Sequence, residues 1–361
     1  MKNFEEITAR IKRARDLMPE NVGGILVTSE VNRFYFTGLK YTDSALLITR
    51  DGAYSFADFR HDGLLKDAVG DIYTIIMPEK EGLYGAAAEV CRNEKISSVI
   101  YESMAVSVDE HAAIAKAMDG IELIPAGMLF LELRSIKTEY EISKMKAAQK
   151  LTDEAFAHIL NVLNTDMTET EVALELEFFM RKRGASAVSF DAICVSGKES
   201  AKPHGQGRNV KLEKGFLTMD YGCIVDGYMS DMTRTVAIGT PTAEMKKVYD
   251  TVLKAHLEVA ERIKAGMTGK EADTIARDII HGAGYEGCFG HSLGHGVGLE
   301  IHEQPNLSQR NLKPLPVGAV VTNEPGIYLP DNFGVRIENM LYLTENGCID
   351  LTGAPRELFI I

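Results

Sequence analysis

At 361 residues the chain is longer than one ordinary core organises, so two domains are expected. Apolar residues at 45% and charged residues at 25% describe a globular protein rather than a disordered one. A net charge of −13, with no basic run longer than Arg181-Lys182-Arg183, argues against nucleic-acid binding, which needs a basic footprint.

The first residues, MKNFEEITARIKRARDLMPEN, carry an amphipathic charged pattern that predicts a helix near 3–18 and contains no apolar core of a signal peptide. No apolar run approaches the length of a spanning helix, so no membrane partner is expected. Five scattered cysteines without a CxxC pair (Cys91, Cys194, Cys223, Cys288, Cys348) suit a reducing, cytoplasmic compartment. GGILVTS (23–29), ALLITRDGAYSFAD (45–58), IYTIIMP (72–78) and SVIYE (98–102) read as strands, with Asp51-Gly52 as a hairpin turn. Helical patterns follow near 81–93 and 107–118, which makes residues 1–127 an α/β domain. PAGMLFLELRSIKT (125–138) reads as the crossing to a second domain, 134–361. That domain opens with a long helix near Thr138 whose core face is Met145, Ala148, Leu151, Ala155, Ile159 and Val162.

A faint duplication organises the second domain. Met167-Thr168-Glu169-Thr170-Glu171 recurs as Met267-Thr268-Gly269-Lys270-Glu271, both capping boxes opening helices that close at Gly184 and at Gly282 or Gly284. Each follows another long helix, ending before 166 and 266. Further on, Thr218-Met219-Asp220-Tyr221-Gly222 matches Thr322-Asn323-Glu324-Pro325-Gly326. Two matches in the same order predict two similar halves related by a pseudo-two-fold, their strands joining in one sheet.

The acidic residues sit inside this repeat. In FLTMDYGCIVDGYMSDMTRTVAI (216–238), a two-residue turn at Asp226-Gly227 pairs Val225 with Tyr228, Gly222 with Asp231 and Asp220 with Thr233. Asp220 and Asp231 then become diagonal neighbours, roughly 7 Å apart at the backbone. Bare carboxylates that close raise each other's pKa, and a cation between them removes the cost. In the second half, Glu324 lies in VVTNEPGIYLP and Glu338 in FGVRIENMLYL, after a turn through Pro330, Asp331, Asn332 and Gly334. Alternation puts Arg336 and Glu338 on one face. Taken singly, each carboxylate reads equally as a turn residue or a solvated strand charge; the duplicated pattern points to a shared site. Four carboxylates and one histidine suit two divalent ions with bridging carboxylates, Mn²⁺ ahead of Co²⁺ or Zn²⁺ because the donors are hard.

Three of the nine histidines fall in GHSLGHGVGLEIHEQP (290–305). The four-residue spacing of His291 and His295 suggests two ligands on a helix, but Gly290, Gly294, Gly296 and Gly298 make a helix costly, at roughly 1 kcal/mol each. A loop running into an extended segment is expected, its glycines allowing close backbone approach. Ser196 in VSGKES has no base partner at a suggestive spacing, so a nucleophilic serine is not expected.

These motifs together, MDYG…SDMTRT, GHSLGHGVGLEIHEQP, TNEPGIYLP and GVRIEN, resemble the dinuclear metallopeptidases of the pita-bread fold, in the Xaa-Pro aminopeptidase and prolidase branch. NRFYFTGLKYTDSALLITRDGAYSFADFR resembles the creatinase-type N-terminal α/β domain of that branch, and LRSIKTEYEISKMKAA its domain junction. The resemblance implies an α+β catalytic domain, a homodimer and a peptide substrate with proline at the second position. It implies that Asp220 chelates one metal, that Asp231 and Glu338 bridge the two, and that His295 and Glu324 complete the coordination of the second metal. It gives Glu324 the proton-shuttle role, places His204 (in Lys202-Pro203-His204), His291 and His302 at the substrate, and sets Arg336 beside the bridging glutamate. Lys202, Asn323 and Asn339 depart from the family's usual residues, though none removes a ligand.

The expected activity is that of an Xaa-Pro aminopeptidase, opening with attack of a metal-bridging hydroxide on the scissile carbonyl. The alternative is an Xaa-Pro dipeptidase, which must hold its substrate's C-terminal carboxylate; Arg310, between His302 and Glu324, is a candidate for that or simply a loop charge. A hydrolase working without metal, or a binding protein on the same fold, would be expected to lose ligands, and all five are present; a different amide substrate on the same metal site stays open as a further alternative.

Overall fold

The computed structural model describes residues 4–361, so the first three residues of the N-terminal stretch lie outside it. In the unit Met1–Leu133 the apolar runs form a six-stranded sheet. Its order is Thr74–Ile76, Ala53–Ala57, Ser44–Thr49, Gly24–Val27, Ser98–Tyr101, Glu122–Pro125. The Asp51-Gly52 hairpin is antiparallel, as is the pairing of Gly24–Val27 with Ser44–Thr49; the remaining pairs are parallel. Gly24–Val27 and Ser44–Thr49 are buried at every residue, which explains why they read as unbroken apolar runs rather than alternations. Helices Phe4–Leu17, Gly82–Asn93 and Val108–Ala117 occupy the expected segments.

Three elements of this unit escape the sequence reading: helices Glu30–Thr37 and Asp62–Val69 and the strand Glu122–Pro125. The helix over EVNRFYFT is rich in aromatic residues and only two turns long, so its ends decide it. The Ser29 side chain accepts from the Asn32 amide, and left-handed Gly38 closes it. The buried Glu102 carboxylate accepts from the amides of Thr28 and Ser29 at the positive end of the helix.

In the unit Arg134–Ile361, helix Glu139–Val162 starts at Thr138 with a complete capping box to Glu141. Met145, Ala148, Ala155 and Ile159 are buried, Leu151 is partly so, and Val162, its last residue, lies open at 38% exposure. Ile142, Thr152 and Phe156 complete the buried stripe in place of Val162.

The duplication is present in three dimensions. Capping boxes at Thr168/Glu171 and Thr268/Glu271 open helices Glu169–Lys182 and Gly269–Gly282, each following a long helix, Glu139–Val162 or Ala243–Arg262. Even the bonds just before them repeat: the Leu212 amide donates to Met167, and the Leu315 amide to Met267. In the first half, strand Gly215–Tyr221 lies between Ile193–Ser196 and Met232–Ile238. In the second, Val320–Asn323 lies between Gly294–Gly296 and Asn339–Leu343, with Glu303–Leu307 and Cys348–Asp350 outside them.

The halves do not share one continuous ladder, contrary to the single sheet expected. The three-stranded sheet of the first half meets the second half where Met232–Ile238 passes residues 336–338, between the two-stranded ladder of Gly326–Leu329 with Phe333–Arg336 and the five-stranded sheet's strand Asn339–Leu343. There the Glu338 amide donates to the Thr233 carbonyl at 3.1 Å, and the Thr235 hydroxyl donates to the Arg336 carbonyl at 2.9 Å. No helix among the described residues is long and apolar enough to cross a membrane.

Candidate metal centre

The first-half hairpin has the register its turn predicts. Asp226 (φ 50°) and Gly227 (φ 87°) form the turn, Val225 pairs with Tyr228, and Asp220 pairs with Thr233. Asp220 is the penultimate residue of Gly215–Tyr221, and Asp231 immediately precedes Met232–Ile238.

The second half differs from a simple copy. Asn323 pairs with Asn339 and Gly326 with Arg336, and the ladder is interrupted between them, where Pro325 has no amide to donate. Carried through the interruption, this register sets Glu324 directly opposite Glu338, not diagonal to it. The position that matches Asp231 is occupied by Arg336. The freed amides find other partners: Glu324 donates to the Leu293 carbonyl at 2.9 Å, and Glu338 crosses to the first half. Both side chains are thereby turned to the cavity.

The histidine-rich stretch is extended, not helical, with strands Gly294–Gly296 and Glu303–Leu307. A Cβ on Gly294 would collide with the Thr322 carbonyl, so only glycine lets the two backbones lie this close. The His295 amide then reaches the Thr322 hydroxyl at 3.0 Å, and that hydroxyl donates to Glu324 Oε1 at 3.1 Å.

These elements converge on a cavity of about 420 Å³ that is lined by every residue of the sequence-derived set: Asp220, Asp231, His295, Glu324, Glu338, His204, His291, His302 and Arg336. Donor atoms of Asp231, His295 and Glu338 all lie within 4.8 Å of one another. His295 Nε2 stands 3.6 Å from Asp231 Oδ2 and 3.4 Å from Glu324 Oε1. Its Nδ1 faces the Gly296 carbonyl at 3.1 Å, which as the donating nitrogen leaves the Nε2 lone pair toward the acids.

The electrostatics are those of a site short of positive charge. Burial, then the charges of Glu338, Asp220 and Glu324, push Asp231 well above the usual carboxylate range. Burial and the Glu324 and Asp220 charges do the same to Glu338. Glu324 is pushed up to about 8, chiefly by burial, with Arg336 opposing the rise. Burial lowers His295 to about 4, helped by His302, and lowers His291 to about 4, helped by Arg336. Both imidazoles are neutral at pH 7, the form in which a ring nitrogen can bind a cation.

Arg336 is the organiser of the inner wall. Its guanidinium donates to Asp220 Oδ2 (2.6 Å), to the Thr233 hydroxyl (2.9 Å), to the Tyr328 hydroxyl (2.9 Å) and to the Pro203 carbonyl (3.2 Å). Thr233 donates in turn to Glu338 Oε2 at 2.6 Å. His291 is held at both nitrogens, Nδ1 against the Ser292 carbonyl and Nε2 against the Tyr328 hydroxyl. His204 and His302 are exposed at the rim, and the His302 ring meets His295 edge-on at 4.4 Å between centroids.

The sequence reading missed Tyr328 and Thr233. Tyr328 lies in the same TNEPGIYLP segment as Glu324, and Thr233 is opposite Asp220 in the predicted register. A polar residue at each position was the available signal. Arg310 is exposed and absent from the cavity wall. Ser196 spends its hydroxyl on Glu169 at 2.7 Å. The departures at 323 and 339 are absorbed locally: Asn323 donates to the His256 carbonyl, and Asn339 links Arg234 to Asp350.

The donor set fits divalent cations. Four converging carboxylates match the charge of two such ions, and a buried cluster of this kind is otherwise held only by retaining protons. Asp220 Oδ1 is buried and has no hydrogen-bond partner, an acceptor left over for a ligand.

Comparison with known proteins agrees. Residues 143–345 match the model of metallopeptidase family M24, and residues 10–136 that of the creatinase/prolidase N-terminal domain. The chain is 34% identical to the Xaa-Pro dipeptidase of Pyrococcus furiosus over 97% of its own length and 99% of the relative's. Among solved structures it resembles an Xaa-Pro dipeptidase from Bacillus anthracis (TM-score 0.93, 42% identity, 98% of this chain and 100% of that one). It also resembles an X-Pro aminopeptidase from Thermotoga maritima (TM-score 0.90, 35% identity, 97% and 100%). With its acidic centre and its creatinase-type N-terminal domain in a pita-bread architecture, the chain belongs to metallopeptidase family M24.

Proposed function

We propose that the protein is an Xaa-Pro dipeptidase, hydrolysing the bond between an N-terminal residue and a C-terminal proline. The likeness to the dipeptidases of B. anthracis and P. furiosus, over nearly the whole of each chain, carries this reading in preference to the expected aminopeptidase.

In this reading Asp220, Asp231, His295, Glu324 and Glu338 hold two divalent cations, Mn²⁺ before Co²⁺ or Zn²⁺ because four of the five side chains offer carboxylate oxygens. Bound there, the cations supply Lewis acidity and make water nucleophilic at neutral pH. The chain's own groups do the rest. Glu324, with Oε1 held by Thr322, takes the proton of the attacking water and returns it to the proline nitrogen as that bond breaks. His204 and His302, at the rim, hydrogen-bond the substrate, and His291, held by Ser292 and Tyr328, contacts the substrate from the cavity wall. Arg336 fixes Asp220 and, through Thr233, Glu338.

The likeness to the T. maritima enzyme supports a second reading, an aminopeptidase acting on longer peptides. Comparing Ala-Pro with Ala-Pro-Ala separates the two. A dipeptidase favours Ala-Pro by at least about tenfold in kcat/KM, because a site built to bind a terminal carboxylate rejects a substrate lacking it there. Equal or better turnover of the tripeptide transfers the case to the aminopeptidase, and hydrolysis of neither removes both.

A further inference from the structure

Two buried carboxylates outside the centre hold the loops that carry its histidines. Glu169, on the shorter helix of the first half, is fully buried. It accepts from the Ser196 amide and hydroxyl (2.7 Å each) and from the amide, Nε and Nη2 of Arg208 (2.8, 3.0 and 2.7 Å). Those contacts bracket residues 197–207, the segment containing Pro203 and His204. Asp273, on the shorter helix of the second half, is fully buried as well. It accepts from the Leu293 amide at 2.9 Å and from Arg277 Nε and Nη2 at 2.5 and 3.2 Å. Arg277 extends onward to the carbonyls of Phe289 (2.8 Å) and His291 (2.6 Å), its guanidinium stacked over the Phe289 ring. The carbonyl of Leu293 is the one that receives the Glu324 amide.

The two carboxylates do the same work from different positions. The counterpart of Glu169 in the repeat is Gly269, where a Cβ would strike the Asn306 carbonyl. With no room for a side chain there, the second half supplies its carboxylate one turn later. Burying an ion pair is a poor way to stabilise a fold, since apolar residues of similar volume often serve as well or better. What such a pair does supply is fixed geometry, and here nearly every bond goes to loop backbone or to an arginine that grips it.

We infer that Asp273 with Arg277, and Glu169 with Arg208, are positioning residues that set the placement of His291 and His204 at the substrate. The inference rests on the proposed peptidase reading for the roles of those histidines, but not for the clasp itself. Arg277→Lys keeps the charge beside Asp273 and cannot span the Phe289 and His291 carbonyls as well; Asp273→Asn keeps an acceptor for Leu293 and loses the ion pair. Hydrogen exchange followed by mass spectrometry, on protein loaded with Mn²⁺, reads the clasp without reference to activity. Arg277→Lys is expected to speed exchange across residues 286–297 by about tenfold or more while helix Gly269–Gly282 exchanges as in the wild type. With bound metal unchanged, kcat on Ala-Pro should fall about 10- to 100-fold, the usual scale for losing a group that orients a functional one. Arg208→Lys should act in the same way on residues 197–207. Wild-type exchange in 286–297, or acceleration spread equally over the helix, overturns the proposal, and Asp273→Asn is read by the same criteria if Arg277→Lys does not fold. A wild-type protein that cleaves no Xaa-Pro peptide refutes the peptidase reading alone, because the exchange result still decides the clasp.

Discussion

At the scale of single residues, the site is a set of acids made tolerable by what lies among them. Asp231, Glu338 and Glu324 are all pushed upward, and the neutral imidazole of His295 stands within 3.6 Å of two of them. Replacing His295 or Asp231 by Ala should therefore strip bound metal and cut hydrolysis by at least about 100-fold, the upper end of what loss of a mere supporting group costs. Elemental analysis beside an Ala-Pro assay measures both; activity that survives with metal content unchanged would sink the assignment. Tyr328→Phe is a finer probe. Its hydroxyl joins His291 to Arg336, so its loss should lower kcat/KM by about tenfold and leave metal stoichiometry intact. Depleted metal in that variant would instead make Tyr328 part of the metal support.

Among the elements, capping and turn chemistry decide where the centre's strands and helices begin. Thr168 and Thr268 make the same reciprocal bonds with Glu171 and Glu271. Thr168→Ala and Thr268→Ala should each cost about 1 kcal/mol in urea unfolding, by equal mechanisms in the two halves. A loss confined to one of them would show that the repeat is no longer energetically equivalent. Elements with such end signals were legible: the Asp226-Gly227 hairpin gave its register from two residues, since turn length sets which residues face each other. Helix Glu30–Thr37 was not legible, because part of its support comes from Glu102, some 70 residues away. Nor was the interruption at Glu324 and Glu338, which departs from the first half's pattern where Pro325 and contacts from the other half take over the bonding.

For the molecule as a whole, the upward-shifted acids make the metal-free fold sensitive to pH. Glu324 binds its proton in the folded chain up to about pH 8 but in the unfolded chain only to the ordinary glutamate range. A group raised on folding contributes stability at low pH and loses it as pH climbs through its folded value. His291 and His295, lowered to about 4, and His256, lowered to about 3, act oppositely, and their contribution levels off only about one pH unit above the ordinary histidine value of about 6.5. Between pH 6.5 and 8 the histidine contribution fades and the three raised acids dominate. Tm measured in EDTA should therefore fall across that interval, and saturating Mn²⁺ should raise Tm and flatten the fall as cations replace protons. A metal-free Tm that rises from pH 6.5 to 8 would contradict the charge balance described here.

By itself the sequence determined the four carboxylates that line the cavity, the register of the first hairpin, the paired capping boxes and the extended, glycine-dependent course of the histidine stretch, while the family resemblance supplied His204 and the roles of His291, His295, His302 and Arg336. Those read without the resemblance follow from residue types at short spacing or in a repeated pattern, where local geometry leaves few alternatives. Only the tertiary structure decided that Glu324 faces Glu338 directly, that Arg336 stands where the repeat has Asp231, and that Thr233 links Arg336 to Glu338. Only there do Glu169 and Asp273 emerge as holders of loops, through bonds to Ser196 and Leu293 that lie 27 and 20 residues further along the chain. Such contacts depend on how the two halves, and the helices behind them, pack together. No local period encodes a distance between residues a hundred positions apart.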